Sequence, residues 1–436
     1  MKPLNARFKS ILKTVLIILT LIALLVISWV AYINFRGDDE PDVGQDAFYA
    51  RSTTTIPDNQ NLAVTISGIN APIGTDMTSH GRLVIDTFKS ELFSSSLKSK
   101  VIKSIGIKFT GKREEFDCWL NDGVSKTAEI CASEDRIRKL LEENKLLIER
   151  YKKLYQMPSW QGSIQFGGQS LLDINRLLVA DIKLGVDSGS AEAAYQKWKA
   201  NALFINHVLK QETTVIEKAI FLVIDGFNFA SLEYLLLKKP QIMTNHYDEL
   251  MILLKPTGLT RYNLQGMLRA EYHFFEDNLF KKVTAEQNVH INYIRNRIYR
   301  VHIDFLKEAQ KSPYTFKESQ RKLHKRYYFG RYQFWNYDLL DPQHSLISNM
   351  LINGFLNGFN LVGSMQSKSA LIKLLNLKIN IHQQKIADSN IQAFLNNAGS
   401  EYFNPFTNKP MRWDGAKRMI ICDRPDDTER RVEVRL

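Results

Sequence analysis

The chain is poor in the residues that break or staple a fold. Its 436 residues include 12 prolines, 22 glycines and three cysteines. So little proline and glycine, beside long Leu/Lys/Glu-rich stretches, leaves helix as the default. The cysteines lack the C-x2-4-C spacing and the further ligands that a metal pair requires. Signatures of nucleotide binding and hydrolysis are missing as well: there is no Gly-x-Gly-x-x-Gly, Gly-Lys-Ser/Thr, His-Glu-x-x-His or Gly-x-Ser-x-Gly. No 34- or 40-residue period marks a regular solenoid. No cofactor is expected from such a sequence. Acid is also in deficit, with 46 Asp and Glu against 58 Lys and Arg and a net charge of +12.

One long uncharged run is present. Residues 14–35 (TVLIILTLIALLVISWVAYINF) hold no charge between Lys13 and Arg36. As a helix they reach ~33 Å, enough for a hydrocarbon core of ~30 Å. Lys2, Arg7, Lys9 and Lys13 precede the run, and Arg36 followed by Asp38, Asp39, Glu40 and Asp42 comes after it. The basic short side belongs in the cytoplasm. The expected location is therefore the inner membrane, single-pass, with residues 1–13 cytoplasmic and the bulk of the chain periplasmic. A cleaved signal peptide is the alternative, but its apolar core is shorter and a small-x-small site should follow. Topology changes what the positive charge means. In the cytosol it would suggest nucleic acid; beyond a membrane the polyanions are phospholipid headgroups, lipopolysaccharide or wall polymers.

After the anchor, residues 36–60 are acidic, then polar and aperiodic. They read as a juxtamembrane linker, either a tether or a segment lying against the domain. Residues 61–400 read as a helical periplasmic domain and 401–436 as a C-terminal hairpin and charged tail. The fold class expected is mainly α: a membrane-anchored multi-helix domain with a small C-terminal β-hairpin. A short helix should end at Gly68, before the turn residues Asn70-Ala71-Pro72. One helix should run from Ser133 to the approach of Pro158, another over 167–184 with Ser170 as cap, and another over 190–210. Residues 212–238 are apolar enough for a core helix, while Glu217, Lys218 and Asp225 argue against a second span. Capping boxes at Thr284–Gln287 and Thr315–Glu318 open later helices, the first with Ile291, Ile294, Ile298, Val301 and Phe305 on its inner face. Asp414-Gly415 lies between two alternating segments suited to a hairpin, and residues 424–436 should be frayed.

Cys118 and Cys131 flank an Asn121-Asp122-Gly123 turn. In an oxidising compartment they are expected to form a disulfide worth roughly 3 kcal/mol, with buried free thiols as the alternative; Cys422 should be unpaired. The best catalytic candidate is the cluster His273, Glu276 and Asp277, at i, i+3 and i+4 on a helix. An imidazole beside carboxylates can orient a base or bind a metal, but no second histidine at helical spacing completes a metal set. Between residues 281 and 335 stand 13 Lys/Arg against four Asp/Glu, interleaved with aromatics. Arg295, Arg297, Arg300, Arg321, Lys322, Lys325, Arg326 and Arg331 are the candidate contacts to an anionic surface. The first reading of this stretch is solvated helix faces, with an anionic lipid or polymer next and nucleic acid last, because of the topology.

The tail Asn404-Pro405-Phe406-Thr407-Asn408-Lys409-Pro410-Met411-Arg412-Trp413 resembles the D-P-F-x-G-K-P-L-R-Y ending of many uncharacterised bacterial envelope proteins, and more loosely type II secretion pseudopilins. Asn404 stands for the usual Asp, Asn408 for Gly and Trp413 for Tyr; the preceding Y-P pair and the glycine-rich end are absent. The anchor, the Asn70-Ala71-Pro72 turn, the cysteine pair and the stretch from Leu147 to Tyr151 are similar to single-pass proteins of Gram-negative bacteria. The resemblance implies an envelope location and a helical body, with no catalytic residues. Three functions follow as expectations: a non-catalytic envelope interaction or assembly protein, a hydrolase built on His273, Glu276 and Asp277, or a secretion or pilus-like subunit. The last wants a helix continuing out of the membrane, against which Pro41, Gly44 and Pro57 stand.

Overall fold

A computed structural model describes residues 18, 20–28, 39–90, 106–120, 132–277, 291–311, 313–327, 359–424 and 432–436. Within the anchor run, Ile18 and residues 20–28 are helical and exposed. The Thr284–Gln287 box, Cys131, Arg331 and the side chain of Cys118 lie outside the described residues, and the expected disulfide with them.

The frame is three long helices joined by short turns, α7 (Gly168–Asp187), α8 (Ala191–Leu209) and α9 (Val215–Lys238). Before them come α1 (Gln45–Phe48), α2 (Leu62–Ser67), α3 (Met77–Ser90), α4 (Glu114–Leu120), α5 (Glu134–Glu143) and α6 (Lys145–Lys153). After them come α10 (Gln241–Asn245), α11 (Tyr247–Leu253), α12 (Leu264–Phe275), α13 (Ile291–Ala309) and α14 (Pro313–Tyr327). The last elements are α15 (Phe359–Gln383), α16 (Ile391–Asn397) and strands β1 (Arg412–Asp414), β2 (Met419–Cys422) and β3 (Val432–Arg435).

Connections of a few residues make α7, α8 and α9 antiparallel neighbours. An asparagine ladder crosses them. Asn201 Oδ1 accepts from Tyr151 and Tyr155, while its Nδ2 donates to Asn175 and Asn228. Each of these buried amides is thereby satisfied, and a satisfied polar ladder fixes how the helices sit against one another. Helix α9 is opened by a capping box between Thr214 and Glu217. It is long and apolar enough to cross a membrane, yet 56% of its most apolar window is buried in the fold. Its Asp225 forms a buried bidentate pair with Arg261, both contacts at 2.9 Å. These features identify α9 as the central core helix.

Several boundaries differ from the sequence reading for local reasons. The helix expected after Ser133 is divided between α5 and α6 at Asn144. That side chain exchanges two hydrogen bonds of 2.8 Å with the backbone of Thr110 and so interrupts the helical run. Helix α7 is preceded by Gly167 at φ 96°, and Ser170 does not cap it; the serine hydroxyl donates to Asn70 instead. A side chain at Gly167 would also meet Ile66 O at 2.5 Å. Helix α14 begins at Pro313, so Thr315 is inside the helix and not its cap. Helix α2 ends at Gly68 as its sequence indicates. Gly68 and Gly81 let α2 and α3 cross backbone to backbone, since a Cβ would lie 1.8 Å from Met77 O and 1.9 Å from Val64 O, respectively.

The C-terminal element is larger than a hairpin. Strands β1, β2 and β3 form an antiparallel sheet in that order, and the third strand comes from the tail expected to be frayed. Val434 alternates inward and is fully buried, so an otherwise charged tail still contributes one core residue per strand period. Asn408 takes φ 53° where the similar tails carry glycine, a conformation asparagine tolerates. Asn404 Oδ1 accepts from Phe406 N at 2.8 Å, the turn-forming role of an Asp. Cys422 is a buried free thiol, and burial pushes its pKa up to about 12.

Candidate functional site

The segment that follows the apolar run is not a loose linker. The side chain of Asn296 on α13 brackets it, accepting from Asp42 N at 2.9 Å and donating to Glu40 O at 2.8 Å. Arg300, one turn further along α13, holds Asp42 with two bonds of 2.7 and 2.8 Å. Phe48 and Tyr49 are buried against the domain; Tyr49 stacks on Tyr272 with ring centroids 3.7 Å apart. The Tyr49 hydroxyl meets Nδ1 of His302 at 2.8 Å. His302 is enclosed, and burial lowers its pKa to about 3, so the ring is neutral. Residues 39–56 thus form a docked strap.

The far end of the strap walls a cleft of about 860 Å³. Ala50, Arg51, Ser52 and Ile56 line one side, and Arg269, His273, Phe274 and Asp277 of α12 and its extension line another. The floor carries Val64 and Ile85 of the α2/α3 crossing together with the loop 159–165, whose Trp160 is buried. Gln161 fastens the strap over this loop, accepting from Ile56 N at 3.0 Å and donating to Thr54 O at 3.1 Å. The loop is itself tied to α9, because Glu217 accepts from Ile164 N at 2.6 Å. Burial raises the Glu217 carboxyl to about 7.

Of the candidate catalytic residues, His273 and Asp277 line this cleft and Glu276 lies beside them, in a changed pairing. Residues 276–277 continue α12 as a wider, π-type turn. His273 Nδ1 therefore faces Glu276 Oε2 at 3.4 Å, and Asp277 turns to Arg51. Arg51 bonds Asp277 at 3.0 and 2.9 Å and Glu276 at 2.6 Å. Arg295 reaches Glu276 Oε1 at 2.8 Å and also bonds the Tyr272 hydroxyl. The His273 hydrogen bond, followed by the two guanidiniums, holds the Glu276 carboxyl down to about 2. A carboxylate that acidic is a poor general base near neutral pH. His273 Nε2 is buried and has no hydrogen-bond partner among the described residues. A ligand group reaching that wall would meet one open imidazole nitrogen between arginine–carboxylate pairs.

No family model matches the chain, and no curated protein or solved structure matches it either.

The surface candidates separate into two groups. Arg295 is taken up by Tyr272 and Glu276, Arg297 lies over the Tyr293 ring, and Arg300 clamps Asp42. Arg321, Lys322, Lys325 and Arg326 are exposed on α14. Among the described residues no group of three or more His, Cys, Asp and Glu suits a metal ion. Sequence reasoning missed the strap contacts of Tyr49, Arg51, Tyr272 and Arg269, the last of which bonds Phe48 O at 2.9 Å. The available signal was the aromatic pair Phe48-Tyr49 inside an otherwise polar segment.

Proposed function

We propose that the protein is a single-pass inner-membrane protein, N-terminus cytoplasmic, whose periplasmic helical domain binds an envelope component without chemical turnover, as an interaction or assembly factor. The observation that carries this reading is the occupation of Asp277 and Glu276, the carboxylates beside His273, by Arg51 and Arg295, and of Glu212 in the cleft wall by Arg269. These carboxylates are engaged by arginines, and what remains beside one open imidazole nitrogen is a concave surface of mixed polar and apolar lining suited to recognition. Residues 39–44 are not helical, which counts against a pilus-like subunit with one continuous helix.

The test is a photocrosslinking amino acid at Gln165 in the cleft, in the full-length protein in cells, compared with the same residue at exposed Ile252 on α11. A discrete adduct from Gln165, absent from Ile252 and retained in His273→Ala, is expected. Equal labelling from both positions refutes a binding cleft. The convergence of His273 and Asp277 on one cleft favours a second reading, a hydrolase. That reading requires His273→Ala to abolish turnover of a captured ligand by the purified protein.

A further inference from the structure

We propose that the exposed face of the α13–α14 hairpin is a seat for a bilayer carrying acidic headgroups, and that the strap holds it there. The inference rests on residues 14–35 spanning the membrane.

Proximity comes from covalent geometry. Asp42 is fixed to Asn296 and Arg300 of α13. Only seven residue steps separate it from Phe35, the last residue of the apolar run. At no more than ~3.6 Å per residue, that point on α13 lies within about 25 Å of the end of the span. A free tether would let the domain drift from the bilayer. The Asn296 bracket and the Arg300 clamp remove that freedom.

Charge supplies the complementarity. Arg300 is neutralised by Asp42 and is set aside. Lys307 of α13, Lys311 in the turn after it, and Arg321, Lys322, Lys325 and Arg326 of α14 are all exposed. Against them stand Asp304, Glu308 and Glu318, bonded to Arg326, Lys311 and Lys322, respectively. The two helices pack together, with Asp304 of α13 also accepting from the Tyr327 hydroxyl of α14 at 2.7 Å. The surplus of cations is therefore carried by one rigid hairpin beside the membrane. Each Lys or Arg near an anionic surface favours association by a factor of about five, so the cations act together where one alone would not hold.

The test uses the full chain in nanodiscs of phosphatidylcholine or of phosphatidylglycerol, with lysine acylation rates read by mass spectrometry. Lys307, Lys311, Lys322 and Lys325 should react about fivefold or more slowly in phosphatidylglycerol. Lys139 and Lys145, exposed on α5 and α6, should not change. Arg321→Gln with Lys325→Gln should return Lys307, Lys311 and Lys322 toward their phosphatidylcholine rates. Equal rates in the two lipids with full incorporation overturn the seat and leave the anchor standing; so does equal slowing at Lys139 and Lys145. A chain that does not enter the discs refutes the anchor, and the seat with it.

Discussion

Two buried groups at opposite ends of the strap–cleft assembly should act on stability with opposite sign between pH 7.5 and 4.5. His302 sits under Tyr49 with its pKa lowered by burial from 6.5 to about 3. As the pH falls below 6.5 the unfolded chain takes up a proton that folded His302 refuses, so stability is lost. At 1.36 kcal/mol per pH unit this loss reaches about 3 kcal/mol by pH 4.5. Glu217 has the opposite sign. Burial raises its pKa from 4.5 to about 7, so the folded chain takes up a proton first as the pH falls from 7. Its contribution is a gain of about 3 kcal/mol over the same range. The perturbation is to remove one group at a time. Relative to the wild-type slope, His302→Gln should make stability rise more, or fall less, on acidification; Glu217→Gln should do the reverse. The assay is urea unfolding of the full chain in mild detergent, followed by tryptophan fluorescence at pH 4.5 and 7.5. Each substitution also costs stability at both pH values, but only the slope is read. If either variant keeps the wild-type slope, that group is not the buried neutral species described here.

Other outcomes follow from packing. Gly81→Ala puts a methyl group into the backbone of Val64 and should cost about 3 kcal/mol, whereas Gly363→Ala on α15, where no atom lies within 4 Å of the added carbon, should gain about 0.5–1 kcal/mol; urea midpoints decide both. Asp225→Asn leaves the buried Arg261 guanidinium without its carboxylate and should cost about 3–5 kcal/mol. The double change Asp225→Leu with Arg261→Met should recover most of that loss in a thermodynamic cycle, and strictly additive single costs would show that the pair is not coupled.

Most of the helical body was legible because its signals are local. The 3–4 spacing of Ile291, Ile294, Ile298, Val301 and Phe305 names the inner face of α13; the last four are buried, and Ile291 at the helix start is partly buried. Ser133, where the first of the long helices was expected to open, caps α5. Breaks that depend on distant partners were not legible. Nothing near Asn144 reveals that Thr110 will pair with it, and nothing near Val432 reveals that β2 will accept a third strand. At the site, the histidine and its carboxylates were readable from helical spacing. Their neutralisation was not, because Arg51 lies 225 residues from Glu276 in sequence.

The acidic run after residues 14–35 and the basic stretch around α13 were both visible as compositions; the first left a tether or a docked segment open, and the second read first as solvated helix faces. Docking changes the consequence of that pairing. Asp42, clamped by α13, and Arg51, in the cleft wall, are nine residues apart, with α1 and the buried aromatics Phe48 and Tyr49 between them. A short segment pinned at both ends and buried in the middle cannot move at one end alone. Lifting the strap from α13 would withdraw Tyr49 from His302 and Arg51 from Glu276 and Asp277 in the same event, exposing two aromatic rings and removing one guanidinium from two carboxylates. The Asp42 clamp on α13 and the cleft wall are therefore one mechanical unit. An interaction that alters the cleft by displacing Arg51 must be felt at Asp42.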